Sequence, residues 1–454
     1  MIHAGHCEPC LRDLPRKIGD HRATQTGPTL VVVGGLHANE PAGIAAASRV
    51  HNRIDDGDLS LVAGRFISLR GNLTALAADP DEQDRRQRYI DEDLNRAFVD
   101  SPATRRTATA TVEQRERDAL DAAFDSIAAE TEHTVYLLDL HTFSSDSPPF
   151  IVHEDALHTR RFAATFPLPK VLGLEEELSG LLIDDVTSRL GFVACIAEAG
   201  RHDDPAAIDV HEALILIALQ ALGNTQPGSR TSKGDIPSQV VERAAGERAR
   251  RYYDVRQRVG ITDESFCMSD DARAFMPVTA KNTLLAYEHR QPITADADGV
   301  LFMPNRQSAR RPGDDAFFVV QRVGAIWLRI SALLRQSSFV QHIIVTALPG
   351  VRRRPGQPHT ILVAPEYAAI LRREILHLLG YRLVRWTHQP YLSRSKRLAM
   401  ALHGLLRSVF GIIKHALSGG ERNALPRERD TDWIAHRRHL DVNQNLDRNQ
   451  KVSP

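Results

Sequence analysis

Apolar and polar positions alternate with different periods along the chain. Residues 30–34, 134–142 and 191–199 are nearly unbroken apolar runs, the pattern of strands covered by helices on both faces. Residues 65–72 alternate and stop at a turn, as a short strand does. Residues 113–130 carry helical spacing and predict a helix lying on one face of a sheet. From 255 to 323 the chain alternates between short apolar stretches and turn residues, which predicts a β-rich segment. Residues 359–386 read strand, helix, strand, and 394–417 form a basic amphipathic pattern with Leu402, Leu405, Leu406, Val409 and Phe410 between Arg397, Arg407 and Lys414. Beyond 419 the polar, charged composition predicts a disordered tail.

These shifts divide the chain into an N-terminal segment (1–28), an α/β domain (29–223), a Gly/Pro/Ser/Thr-rich linker (224–242), a β-rich domain (243–325), a basic appendage with the amphipathic helix (326–418) and the tail (419–454). Such a division suits 454 residues, too many for one ordinary core. The zero formal net charge hides an asymmetry, because from Val351 onward 19 Lys+Arg face 8 Asp+Glu. A solvated basic surface is the expected reading of that excess, and no nucleic-acid partner is expected. The amphipathic helix is expected to pack on its own domain or on another copy of the chain, as a homo-oligomer, ahead of an anionic membrane surface. Residues 1–29 lack the apolar core of a signal peptide, no 18-residue stretch is free of charge, and four cysteines are too few for a disulfide scaffold. The expected compartment is the cytoplasm. Cys7 and Cys10, with His3 nearby, make half of a zinc knuckle whose second pair is missing.

The chemistry sits where the apolar runs end. After Val31–Val33 come Gly34-Gly35 and then His37-x-x-Glu40, followed by the small residues of a helix start. That spacing lets a nitrogen and a carboxylate oxygen reach one metal ion at the mouth of a sheet, and zinc accepts both. A third ligand is His141, at the end of the run 134–142. Asp139 lies on the same side of the strand and is a candidate to hold the imidazole tautomer. The run 191–199 ends near Glu198, which suits either a general base or an anion capping the next helix. Between them, residues 88–98 place Arg88, Asn95 and Arg96 in a charge-rich loop, either a solvated cluster or a carboxylate-binding set.

In combination, Gly-Gly-x-His-x-Asn-Glu-Pro (34–41), Arg-Tyr-x-x-x-Asp-Leu-Asn-Arg-x-Phe (88–98), Asp-Leu-His-Thr (139–142) and Glu-Ala-Gly-x-His (198–202) resemble the succinylglutamate desuccinylase/aspartoacylase family, relatives of the zinc carboxypeptidases. The resemblance implies a zinc-carboxypeptidase-like α/β catalytic domain with a mixed eight-stranded sheet, followed by a smaller β domain that narrows the site. It implies one Zn2+ on His37, Glu40 and His141, Glu198 as catalytic carboxylate, Arg88 polarising the scissile carbonyl, and Asn95 with Arg96 holding a substrate carboxylate. Ala38 departs from the glycine common in relatives. The expected activity is hydrolysis of the amide of a small, carboxylate-bearing N-acyl amino acid, with esters as further substrates. Two alternatives are a zinc carboxypeptidase acting on peptide C-termini and a non-enzymatic binding protein working through the basic appendage.

Overall fold

The computed structural model describes residues 14–78, 87–98, 110–306, 312–348, 350–354, 357–363, 375–384 and 433–437. Cys7, Cys10 and the helix expected over 394–417 lie outside the described residues. The chain forms two units, residues 1–323 and 324–454.

In the first unit the elements follow in chain order as β1 (Lys17–Arg22), β2 (Gln25–Gly34), α1 (Ala42–Asp55), β3 (Ala63–Arg70), α2 (Leu73–Ala77), α3 (Val112–Ala129), β4 (Val135–Phe143), β5 (Phe150–His153), α4 (Leu157–Ala164), β6 (Lys170–Leu172), α5 (Leu182–Leu190), β7 (Val193–Arg201), α6 (Ala206–Ala221), α7 (Pro237–Ala245) and β8 (Tyr252–Gly260). Then come β9 (Cys267–Met268), β10 (Pro277–Val278), β11 (Leu284–Glu288), β12 (Gln291–Thr294), β13 (Gly299–Phe302) and β14 (Asp315–Val323). The first eight strands make a mixed sheet in the order β1-β3-β2-β4-β7-β5-β6-β8, and it continues without a break through β14-β13-β10. The expected eight strands are therefore followed by three more, because β8 pairs parallel with β6 on one edge and antiparallel with β14 on the other.

Strand alternation sorts the core into two layers. Val31 and Val33 of β2 face one side with Leu120 and Phe124 of α3 and Val186 of α5, while Leu30 and Val32 face the other with Val50 of α1 and Leu214 of α6. Helix α3 starts in a capping box between Thr111 and Gln114, and Leu120, Phe124 and Ile127 form its buried stripe. Phe302 of β13 meets Phe150 of β5 edge-on, their centroids 4.8 Å apart, so the β-rich segment shares a core with the preceding sheet.

Three sequence boundaries shift. The N-terminal segment contributes β1, paired antiparallel with β3. The expected linker ends inside α7, which buries Val241 and Ala245, and Asn224 donates to the carbonyls of Pro28 and Ala63. Pro237 occupies the first turn of that helix, where its missing N–H costs no bond. The tail expected to be disordered contains a strand, Trp433–Arg437.

The second unit has α8 (Ala325–Arg335), α9 (Ser338–Ala347), β15 (Val351–Arg354), β16 (Gln357–Val363), β17 (Tyr381–Val384) and β18 (Trp433–Arg437). Its antiparallel sheet runs β15-β16-β18-β17. Val345, Ile361, Val363, Leu376, Leu379 and Tyr381 form its core. No helix among the described residues is long and apolar enough to cross a membrane.

Candidate active site

Strand β2 delivers His37 and Glu40 through a turn that closes with a hydrogen bond from the Glu40 amide to the His37 carbonyl (3.1 Å). Gly35 makes the turn possible with φ +72°, a left-handed conformation that suits glycine. Helix α1 then starts in close contact with the sheet. A Cβ on Gly43 would stand 2.7 Å from Leu140 Cβ. Ala38, the departure noted in the sequence, is fully buried beside Ala75 and Leu76, and its amide donates to the Arg88 carbonyl (3.0 Å).

The neighbouring strands complete the group. His141 of β4 and Glu198 of β7 are register partners in the parallel pair β4–β7. Both strands run on by a few residues, to Phe143 and Arg201, rather than stopping at the site residues. His37 Nδ1 lies 2.9 Å from Glu40 Oε1, and His141 Nδ1 lies 2.9 Å from Glu40 Oε2. Each imidazole turns its other nitrogen to an aspartate: His37 Nε2 is 3.0 Å from Asp93 Oδ1, and His141 Nε2 is 2.9 Å from Asp139 Oδ2. An aspartate there favours the proton on Nε2, so that Nδ1 is the nitrogen that would give up its proton to bind a metal.

Charge in the site follows from burial set against pairing. Burial would raise the Glu40 carboxyl, but His37 and His141 hold it well below the usual range. His141 would be lowered by burial, yet Asp139 and Glu40 carry it well above its ordinary value. Asp93 is likewise held low by Arg88 and His37 against its burial. Glu198 goes the other way. Burial pushes it up to about 8, with Glu40 and Asp139 adding to the rise against His141 and Arg88. Its Oε2 is buried and has no hydrogen-bond partner among the described residues.

The sequence-predicted residues occupy this frame as follows. Arg88 donates to Glu40 Oε1 (3.1 Å) and Asp93 Oδ2 (3.2 Å). Asn95, on a single 3-10 turn at Leu94–Arg96, is buried and accepts from the Leu182 amide (2.9 Å). Arg96 donates to the Asn95 carbonyl (2.8 Å) and to Asp315 Oδ2 (2.9 Å), while Asp315 also accepts from Arg258 Nε (2.6 Å). Asp93 stands inside the motif around Asn95, yet its place in a run of three acids gives it no local signature. Thr142 follows His141 on β4. Its amide donates to Glu40 Oε2 (3.1 Å), and its hydroxyl lies 2.8 Å from His202 Nδ1.

Among the described residues, His37, Glu40 and His141 form the group that can hold a metal ion, with one donor atom from each within 4.8 Å of the others. Two nitrogens and a carboxylate in a buried, pre-assembled set fit zinc. Fold and site together define an α/β protein with a His-Glu-His group at the carboxyl ends of adjacent sheet strands, the usual site of activity in such sheets. Residues 26–220 match the model of the succinylglutamate desuccinylase/aspartoacylase catalytic domain.

Among solved structures, succinylglutamate desuccinylase from Vibrio cholerae is similar at a TM-score of 0.50 and 19% identity, covering 66% of this chain and 82% of that one. A succinylglutamate desuccinylase/aspartoacylase from Rhodobacter sphaeroides shares 20% identity at a TM-score of 0.48, covering 67% and 88% of the two chains. A search of curated proteins returns no match.

Proposed function

We propose that the protein is a zinc-dependent hydrolase that cleaves the amide of a small, carboxylate-bearing N-acyl amino acid. The match of residues 26–220 to the succinylglutamate desuccinylase/aspartoacylase catalytic domain, a family named for deacylating hydrolases, supports this reading. The observation that carries the reading is the convergence of His37 Nδ1, His141 Nδ1 and both Glu40 oxygens beside the buried Glu198 carboxyl, whose Oε2 has no hydrogen-bond partner among the described residues.

His37, Glu40 and His141 would hold the ion. Bound there, zinc supplies a Lewis acid and makes water a nucleophile near neutral pH. Glu198 takes a proton from the attacking water and returns it to the leaving nitrogen, both at its own carboxylate oxygen. Burial raises its affinity for the proton it takes up, and the positive charge of an ion held by His37, Glu40 and His141 would keep the carboxyl ionised beforehand. Arg88, fixed by Glu40 and Asp93, presents preorganised positive charge to the oxygen of the scissile carbonyl. Asn95 and Arg96 orient the substrate through its carboxylate, and Asp315 holds Arg96 in place for that contact.

The deciding experiment is a mass-spectrometric panel of N-acyl amino acids and C-terminal peptides on zinc-loaded protein and its Glu198→Gln variant. Deacylation should fall by about two orders of magnitude or more in the variant, with zinc content unchanged. Cleavage of peptides but not of acyl amino acids would replace this reading with a carboxypeptidase. Equal turnover by both proteins would remove Glu198 from the chemistry.

A further inference from the structure

Behind the loop that carries Arg88, Asp93, Asn95 and Arg96 stands a carboxylate outside the reacting groups. Glu113, in the first turn of α3, is fully buried. Its Oε1 accepts from Asn72 Nδ2 (3.0 Å) and from the Ile90 amide (2.8 Å). Its Oε2 accepts from the amides of Asp91 (3.0 Å) and Glu92 (3.2 Å). Three successive backbone N–H groups thus close on one anion, as in the concave amide cradles that bind anions elsewhere.

The loop returns the contact. Asp91 Oδ2 accepts from the Val112 amide (2.8 Å), and Glu92 Oε1 accepts from Thr111 Oγ1 (2.6 Å) and Gln114 Nε2 (3.0 Å). The run Asp91-Glu92-Asp93 therefore spends two acids on the N-terminus of α3 and directs the third at His37 and Arg88. Backbone amides 90–92 sit midway between Arg88 and Asp93. A shift of this short stretch moves both the carbonyl-polarising and the carboxylate-binding side chains.

We infer that Glu113 is the positioning residue of this loop: it fixes Arg88 and the Asn95-Arg96 pair relative to His37 and Glu40, and through them sets the selectivity for a carboxylate-bearing substrate. It touches no substrate itself. All four of its partners donate, so a glutamine would turn an NH2 group toward two of them, and the substitution removes the anchor while keeping the volume. This inference rests on the acyl-amino-acid reading of the site.

Glu116 supplies the control. One turn further along α3 and also buried, it accepts from the Thr74 amide (2.9 Å), the Thr74 hydroxyl (2.5 Å) and Arg16, none of them in the loop. The experiment compares wild type, Glu113→Gln, Glu113→Asp and Glu116→Gln, each zinc-loaded and full length. It reads kcat and KM for the preferred acyl amino acid and for its carboxamide analogue, together with amide hydrogen exchange over residues 87–98. Glu113→Gln is expected to lower the acid-to-carboxamide ratio of kcat/KM about tenfold or more and to speed exchange at 90–92, with zinc content retained. Glu113→Asp should recover part of the ratio, and Glu116→Gln should lose stability with the ratio unchanged.

A ratio within about twofold of wild type in Glu113→Gln would overturn the inference. So would an equal fall in Glu116→Gln, which marks a merely structural effect. Should Glu113→Gln fail to fold, Glu113→Asp carries the same comparison. If wild type deacylates nothing, the proposed function falls by itself, and exchange alone decides the anchor: unchanged protection at 90–92 in Glu113→Gln rejects it, and lost protection upholds it.

Discussion

Asp93 joins two groups on which the site depends. Its Oδ1 meets His37 Nε2 and its Oδ2 meets Arg88 Nη2, so one carboxylate sets an imidazole tautomer and a guanidinium position together. Asparagine can keep only one of these contacts, because its NH2 faces either a second donor or nothing. Asp93→Asn is therefore expected to weaken zinc binding about tenfold to a hundredfold, read by competition with a chelator, and to lower kcat as Arg88 is released. His37, Glu40, His141, Asp139 and Glu198 were legible in the sequence because each lies near the end of an apolar run, where a polar side chain makes a poor core residue. Asp93 was not, since three acids in a row read as a solvated face and only distant partners give the third its role. Arg96 was legible as a cation, but its ion pair with Asp315 joins residues 219 positions apart and has no local signature.

Between strand and helix, the placement of Glu40 depends on how closely α1 approaches the sheet. A Cβ on Gly34 would meet the Gly43 carbonyl carbon at 2.8 Å, and one on Gly43 would meet Leu140 Cβ at 2.7 Å. Gly43→Ala should push the helix start outward and carry Glu40 with it. We expect a loss of about 1–3 kcal/mol in a denaturant melt and a larger fractional loss of zinc affinity than of stability. Strands β2, β4 and β7 and helix α3 could be read in advance because their apolar periods are long and clean. Helix α7 could not, as its polar, Pro-led sequence resembles a linker and only its packing shows it to be a helix. Strand β18 was equally hidden. It is fixed by pairing with β16 and β17, and pairing across a long intervening segment leaves no trace in local composition.

Over the whole molecule, buried imidazoles give the stability a pH dependence. Burial holds His51 and His153 down at about 4 and His211 at about 3. Each folded value lies below the ordinary 6.5, so between about 4 and 6.5 the unfolded chain binds more protons than the folded one. Stability is then lost as pH falls through that window, and above 6.5 these groups are neutral in both states. Asp121 and Glu198 oppose two of the three, because burial with Asp185 raises the first to about 6 and burial raises the second to about 8, so their protons are held more tightly in the folded state. Unfolding free energy should decline from pH 6.5 to pH 4, and His211→Leu should flatten the slope by about 1.4 kcal/mol per pH unit, the linkage of one proton. A slope unchanged by that variant would show that His211 takes up no proton on unfolding.

The unbroken sheet has a consequence for how a substrate gets in. From β1 to β10 every neighbouring pair of strands is hydrogen-bonded, and Phe150 packs on Phe302 across the junction where a separate domain would have its joint. A hinge at that junction would have to break backbone ladders and split one apolar core. Entry and exit must instead be local affairs of loops and side chains. The Arg96–Asp315 pair, which ties the loop at 88–98 to the first residue of β14, then works as a latch on a rigid frame rather than as the clasp of two moving halves.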